Sequence, residues 1–340
     1  MKATFFIEGY GYGHASRMLP VIKRFKESEI ISYGAGARFL RSNGVDVQEI
    51  PEPYNLEMGE EGLDWVRTLA KSTKSVNPKI LATSLAALKD TDIVIVDSTL
   101  LGIAMGKMAG AKVLVVLNQI DPSTFFSGFF IKKITERLFM QIFSSIDGVA
   151  ILDFPPPFNI SPAKRLNSNI PIKFVGPTVK MKEEKAEKNR GAVVGGGMDP
   201  TTVPIHILKK SRYRYFVSSK KREKTKNINF IENIRAYIPR SEFCILHGGH
   251  TSIMECILMK KPMVLAPLET YIERVENAQG VERLGLGIKV SPGWLNETVL
   301  DFAIKKSLEL KPNLKRFYSF AKKFDGANEV EKFARHLCKA

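Results

Sequence analysis

Short apolar runs recur along the first half of the chain, ending near Ile7, Ser32, Ile50, Val96 and Val116, with helix-like spacing between most of them. After the run Ala3 to Ile7, for example, Met18, Leu19, Ile22 and Phe25 return on one helical face. Runs that are apolar throughout belong to strands buried on both faces, and their alternation with helices predicts a parallel α/β sheet. Ile93 to Asp97 is such a strand, and Asp97 emerges at its carboxyl edge, where open α/β sheets bind ligands. Val113 to Leu117 is the next, delivering Asn118 and Gln119 to the same edge. A plainer reading of Asp97 is a cap for the helix after Ser98.

Further strands are predicted at Ala192 to Val194, Tyr215 to Ser218, Ile228 to Ile231, Phe243 to Leu246 and Met263 to Ala266, and Leu314 to Leu337 reads as helix. The polar stretch Val179 to Arg190 between the two sets reads as a linker. At 340 residues the chain is long for one core, and two α/β halves of similar design account for it.

In both halves glycine breaks a strand just before a helix. Gly9, Gly11 and Gly13 follow the first strand, and His14 opens the helical segment. That spacing is not Gly-x-Gly-x-x-Gly, and Glu49 is poorly placed as a ribose-binding acid, so a dinucleotide site fits badly. In the second half Gly195, Gly196 and Gly197 form a loop whose backbone can approach a ligand closely. Phe243 to Leu246 leads into His247, Gly248, Gly249, His250, Thr251 and Ser252. There the glycines turn the chain, and Thr251 and Ser252 are expected to cap a helix whose first N–H groups face an anion. Glu255 sits about one turn inside, with its carboxylate available to sugar hydroxyls. An ordinary capped turn, and a His14 that merely caps its helix, are the bland alternatives.

The order His-Gly-Gly, small polar residue, Glu255, Lys261-Pro262, Pro267 and Asn277-Ala278 resembles the donor-sugar signature of GT-B glycosyltransferases. Plant and animal UDP-glycosyltransferases and the N-acetylglucosaminyltransferase of peptidoglycan synthesis carry it. Residues 11 to 17, Gly-Tyr-Gly-His-Ala-Ser-Arg, are similar to the Gly-x-Gly-His-x-x-Arg loop that places a histidine at the acceptor hydroxyl. The resemblance implies a GT-B fold, two Rossmann-like doubly wound domains facing a central cleft. Residues 1–178 would bind the acceptor, 179–190 link the domains, 191–312 bind the nucleotide sugar, and 313–340 cross back as a helix onto the first domain.

It also implies an inverting, metal-independent glycosyltransferase with no cofactor. Its substrate would be a nucleotide-sugar donor, with UDP favoured. His14 would be the base, oriented by Asp97, with Glu8 in reserve. Gly11, Gly13, Arg17 and Asn118 would meet the acceptor. Gly196, Gly197, His247, Gly248, Gly249, Thr251 and Ser252 would hold the diphosphate, and Glu255 the ribose. Asn233 and Ile234 would edge the nucleobase, Glu273 and Arg274 would face the sugar, and Asn277 of the signature would belong to the donor site. Arg274 departs from the glutamine of relatives; its cation suits either a carboxylate on the donor sugar or the phosphate. A sugar-nucleotide 2-epimerase and a non-catalytic sugar-nucleotide-binding subunit are the rivals. The Gly-His-x-x-Arg loop argues against the first, and the presence of both halves in one chain against the second.

Charge adds a constraint: a formal +16 attracts anions, whether nucleotide sugars, anionic lipid head groups or nucleic acid. Much of it lies between Lys209 and Lys226, as a solvated face or as a membrane-surface patch. Nucleic acid is not expected, since no recognition motif accompanies the charges. Phe125 to Phe143 mixes Phe125, Phe126, Phe129 and Phe130 with Lys132, Lys133 and Arg137, which suits core packing or an interfacial amphipathic helix. Cys244, Cys256 and Cys338 lack metal-ligand spacing, and no metal is expected. The amino end is too short and too soon interrupted by Glu8 for a signal peptide, and no run approaches the ~20 apolar residues of a span. The expected location is the cytoplasm, peripheral on the cytoplasmic face of the membrane if the acceptor is lipid-linked.

Overall fold

The computed structural model describes residues 1–52, 58–59, 62–63, 78–119, 144–162, 170–195, 203–218, 225–231 and 233–339. Two compact units emerge, Met1–Pro156 with Ala163–Thr178 and Asp325–Ala340, and Pro157–Pro162 with Val179–Phe324.

The first unit contains β1 (Ala3–Ile7), β2 (Ser28–Ser32), β3 (Gln48–Glu49), a small antiparallel pair β4 (Met58–Gly59) and β5 (Gly62–Leu63), then β6 (Ile93–Asp97), β7 (Lys112–Leu117), β8 (Gly148–Ile151) and β9 (Ile172–Phe174). Its helices are α1 (Gly13–Ile22), α2 (Gly34–Ser42), α3 (Pro78–Ala87) and α4 (Leu100–Met108). The main sheet has the order β3-β2-β1-β6-β7-β8-β9, parallel throughout. Every residue of β1 and β6 is buried, and the strand period of two sends alternate side chains to opposite faces. Phe5, Ile7, Ile93 and Ile95 join one core with Met18, Val21 and Leu40. Phe6, Val94 and Val96 join the other, with Leu88 and Ile103.

The second unit begins with β10 (Glu187–Val194) and continues through α5 (Ile205–Lys210), β11 (Arg214–Ser218), β12 (Ile228–Ile231), a 3-10 turn at Ile234–Tyr237, β13 (Ser241–Leu246) and α6 (His250–Leu258). After these come β14 (Met263–Leu265), α7 (Ile272–Arg283), β15 (Gly287–Lys289), α8 (Glu297–Glu309) and α9 (Lys311–Ala321). Its sheet order is β12-β11-β10-β13-β14-β15, again parallel. Ranked within each unit, both sheets run 3-2-1-4-5-6 across their first six strands, so each reverses direction beside its first strand. Ligands of doubly wound sheets bind at that switch point, outside the carboxyl ends. In the first unit it lies between β1 and β6, and in the second between β10 and β13.

Two boundaries differ from the sequence reading. Residues 187–190, read as linker, are strand: their polar side chains satisfy one another at the sheet's amino edge, where Arg190 and Arg240 donate to Glu187 at 2.7 and 2.9 Å. The tail read as one helix is two. α9 stays with the second unit, the chain breaks after Ala321, and Asp325 starts α10 (Gly326–Leu337) by accepting from the Asn328 amide at 3.2 Å. Only this last helix packs on the first unit's core, through Val330, Phe333, Ala334 and Leu337.

Candidate active site

At the first unit's switch point α1 carries His14 to the end of β6. His14 Nδ1 lies 3.0 Å from Asp97 Oδ1, and Asp97 is wholly buried. Asp97 does not cap the following helix; that position belongs to Thr99, which makes no capping bond. Instead Arg17, one turn after His14, donates Nε to Asp97 Oδ2 at 2.9 Å and Nη2 to Oδ1. Arg17 Nη1 donates to Asn118 Oδ1 at 2.5 Å, and Nη2 reaches Ser98 Oγ at 3.2 Å. Burial raises the Asp97 carboxyl, but Arg17 and His14 together outweigh it and hold the group below the usual carboxylate range. His14 Nδ1 also lies 3.0 Å from Arg17 Nη2; in the tautomer that directs Nδ1–H at Asp97, Nε2 is the acceptor, and among the described residues Nε2 has no partner. The His14 side chain is 28% exposed, so that nitrogen borders solvent.

The network gives Arg17 another role. Arg17 is 3% exposed and committed to Asp97, so it positions the pair. Asn118 lends its Oδ1 to Arg17. Gly11, at φ +70, makes the left-handed turn before α1, and Gly13 is that helix's first residue. Glu8, the reserve base, is buried and accepts from the Tyr33 hydroxyl and from the Tyr10 amide at 3.2 Å.

In the second unit β13 delivers His247 and then turns at Gly248, whose φ is +94. A Cβ there would meet Arg274 O at 2.4 Å, so this turn accepts only glycine. The N-cap of α6 is Gly249, and the expected caps Thr251 and Ser252 lie inside the first turn. No side chain caps this helix and no acid occupies its first turn, which leaves its positive end to an anion. His247 is 7% exposed, its Nδ1 has no partner among the described residues, and burial, with Arg274 adding to it, pushes its pKa down to about 3. The Arg274 guanidinium stacks 4.2 Å from the Tyr271 ring centroid. Asn277, the asparagine of the donor signature, is fully buried. Its amide donates to Gly248 O at 3.0 Å and accepts from Ser161 at 2.6 Å, so it holds the turn in place.

Glu255 is also buried, and Arg235 of the 3-10 turn pairs with it. Burial raises its carboxyl while Arg235 opposes the rise. Glu273 is half-buried in the first turn of α7. Asn233 is exposed beside a buried Ile234. Gly196 and Gly197 lie outside the described residues, as do Phe125 to Phe143 and residues 219–224 of the basic cluster.

Residues 180–334 match the glycosyltransferase family 28 C-terminal domain. An uncharacterized glycosyltransferase of Methanosarcina mazei is 27% identical over 98% of this chain and 98% of its own length. The crystal structure of the glycotransferase of kitacinnamycin superposes with a TM-score of 0.71 at 13% identity, covering 99% of this chain and 98% of that one. The chain is a glycosyltransferase of the GT-B fold. A third relative is the Thermosipho africanus UDP-N-acetylglucosamine--N-acetylmuramyl-(pentapeptide) pyrophosphoryl-undecaprenol N-acetylglucosamine transferase, 31% identical over 29% of this chain and 31% of that protein.

In this glycosyltransferase the residues that sequence reasoning passed over are those that hold others. Ser98, at φ +58, donates to Asp97 Oδ1 at 3.0 Å. Thr178 donates to Arg17 O at 2.6 Å and ties α1 down. Ser161 supports Asn277, and Arg235 covers Glu255. Only the charge of Arg235, next to the expected nucleobase edge, offered a signal. Among the described residues no helix is long and apolar enough to cross a membrane.

Proposed function

We propose that this glycosyltransferase moves a sugar, with inversion and without a metal ion, from a UDP-linked donor to a hydroxyl or phosphate acceptor, including one carried on a lipid. The observation that carries the reading is the His14–Asp97 pair at a sheet switch point, with Nε2 unoccupied and bordering solvent. The acceptor oxygen attacks the anomeric carbon as His14 Nε2 takes its proton, and Asp97 stabilises the imidazolium that results. The bond from that carbon to the diphosphate breaks on the opposite face, and the nucleoside diphosphate leaves with the electron pair.

The α6 amino end, His247 and Arg274 supply the positive field that receives the departing charge. UDP as the nucleotide is supported by the relative named for a UDP-N-acetylglucosamine reaction. Peripheral attachment to an anionic membrane is supported by the net charge of +16.

Thermal-shift screening of nucleoside diphosphates tests the donor half: UDP raises the melting temperature, and His247→Ala cancels the rise. For the acceptor half, His14→Ala keeps donor affinity and loses turnover by about 100-fold or more. Full activity in that variant would remove His14 as base. Calorimetry with UDP-glucuronate against UDP-glucose decides whether Arg274 serves a donor carboxylate; equal affinities assign it to the phosphate.

A further inference from the structure

The second unit carries a cavity of about 330 Å³ at the amino edge of its sheet, between the start of β10, the residues that lead into β13, the turn from α6 into β14 and the first turn of α9. β13 runs from this edge to the α6 turn, so its six residues set the two places roughly 17 Å apart at about 3.3 Å per residue. Five lysines line the cavity: Lys188, Lys260, Lys261, Lys311 and Lys315. Two are paired, Lys260 with Glu183 and Lys311 with Glu242 at 3.1 Å, and Glu242 also accepts from the Asn189 amide at 2.7 Å. Lys188 and Lys315 are exposed and make no ion pair among the described residues. Lys261 is 8% exposed and donates Nζ to Pro239 O at 2.6 Å, which uses one of its three N–H bonds. Among the described residues no acceptor takes the other two. Burial lowers the pKa of this ammonium. No side chain caps the amino end of α9 and no acid stands in its first turn, which adds to the positive field. Against these cations stands one uncommitted carboxylate, the exposed Glu184.

We propose that this cavity binds a small phosphomonoester, with Lys261 at its floor and Lys188 and Lys315 at its rim. A phosphomonoester carries about two negative charges at neutral pH and three acceptor oxygens, and three ammonium groups without a carboxylate partner match both. Lys261 separates a site from a solvated charged face: a buried ammonium with unmet donors costs free energy that an anion beside it removes, whereas rim lysines alone hydrate freely. Lys261 also belongs to the signature read from the sequence, yet it stands at the edge of the sheet opposite the donor turn. The same chemical group occurs free in phosphorylated metabolites and as the headgroup of phosphatidic acid.

The test is calorimetric titration of the intact chain with glycerol 3-phosphate, repeated with UDP in excess. Wild type binds one equivalent under both conditions. Lys188→Gln combined with Lys315→Gln weakens binding by at least about 10-fold, the usual effect of removing charged hydrogen bonds. Lys23→Gln combined with Lys26→Gln takes the same charge from exposed positions of the first unit and leaves affinity within about twofold, because salt screens distant charges. Lys261→Met loses binding as well; should that variant not fold, the rim variant decides. Sedimentation with vesicles of phosphatidylcholine and phosphatidic acid in equal parts distinguishes the two sources. Vesicle binding that the rim variant loses and the control pair keeps assigns the lipid headgroup, and calorimetric binding without it assigns a soluble metabolite. Equal losses in the rim and control variants overturn the proposal, as does an isotherm that UDP removes, which would place the phosphate at the α6 turn. Failure to bind both glycerol 3-phosphate and the vesicles overturns it too.

Discussion

A carboxylate with no exposure that receives an arginine, a histidine and a serine is a position where charge cannot be removed cheaply. Asp97 and Arg17 have side chains 0% and 4% exposed, so neutralising one strands the other in a dry site. Asp97→Asn therefore destabilises the first unit by about 3–5 kcal/mol, measured by urea unfolding at pH 7. Its pH dependence follows from the lowered carboxyl. Stability from this group is complete above the ordinary carboxylate value near ~4 and is lost progressively as the pH falls below it. Wild type weakens along that slope, and Asp97→Asn weakens less steeply. His247 acts in a different window: its pKa in the fold is about 3, below the ordinary imidazole value. The unfolded chain then binds the proton first, so stability drops as the pH falls from about 6.5 towards 3, and His247→Asn flattens that part of the curve. His14 and Asp97 were legible because one sits in a short glycine-flanked motif and the other ends an apolar strand. Arg17 was named in the same motif, but its pairing with Asp97 was not legible, since that partner is 80 positions away and only the pairing of β1 with β6 brings them together.

Elements convert these residues into a site through their ends. The turn between β13 and α6 has one solution, because Gly248 combines φ +94 with Arg274 O at 2.4 Å from where a Cβ would stand. Gly110 provides the comparison, with φ +70 and nothing within 4 Å. Gly110→Ala costs only the left-handed penalty, about 1–2 kcal/mol, whereas Gly248→Ala costs several kcal/mol or shifts α7. Urea unfolding separates the two variants, and a thermal shift with UDP checks the ligand: the Gly248 variant loses it and the Gly110 variant keeps it. Apolar runs gave away β1, β6, β7 and β13 because strands buried on both faces have no polar alternation to blur them. β9 and β15 carry partly exposed residues over three positions each, too short for a period to register. Thr251 and Ser252 looked like caps because cap chemistry favours them, but the close approach of α7 to Gly248 starts α6 earlier, at His250. Asn277 belonged to the recognised signature, yet only the fold shows that its amide is spent between Gly248 of the turn and Ser161.

At the scale of the molecule, the chain returns its last segment to the unit it began with. α10 buries Val330, Phe333, Ala334 and Leu337 in the core that also holds Phe5, Met18 and Ala150. Arg24 of the segment after α1 donates to Glu331 at 2.6 Å and to Asn328 at 2.7 Å, and Lys173 to Glu329 at 2.7 Å. The second unit's core, built on Tyr215, Phe243, Ile245 and Ile304, includes no residue of α10. Truncating Phe333 to alanine removes a ring that is 7% exposed, and the transfer and cavity terms amount to about 3–5 kcal/mol. That loss falls on the first unit, where His14 resides. Phe333→Ala therefore lowers the melting transition reported by a probe in the first unit, while the stabilisation proposed for UDP, which rests on residues of the second unit, persists at wild-type size. Loss of the UDP effect at a temperature where both units remain folded would show that α10 also supports the donor side, contrary to its place in the first unit's core.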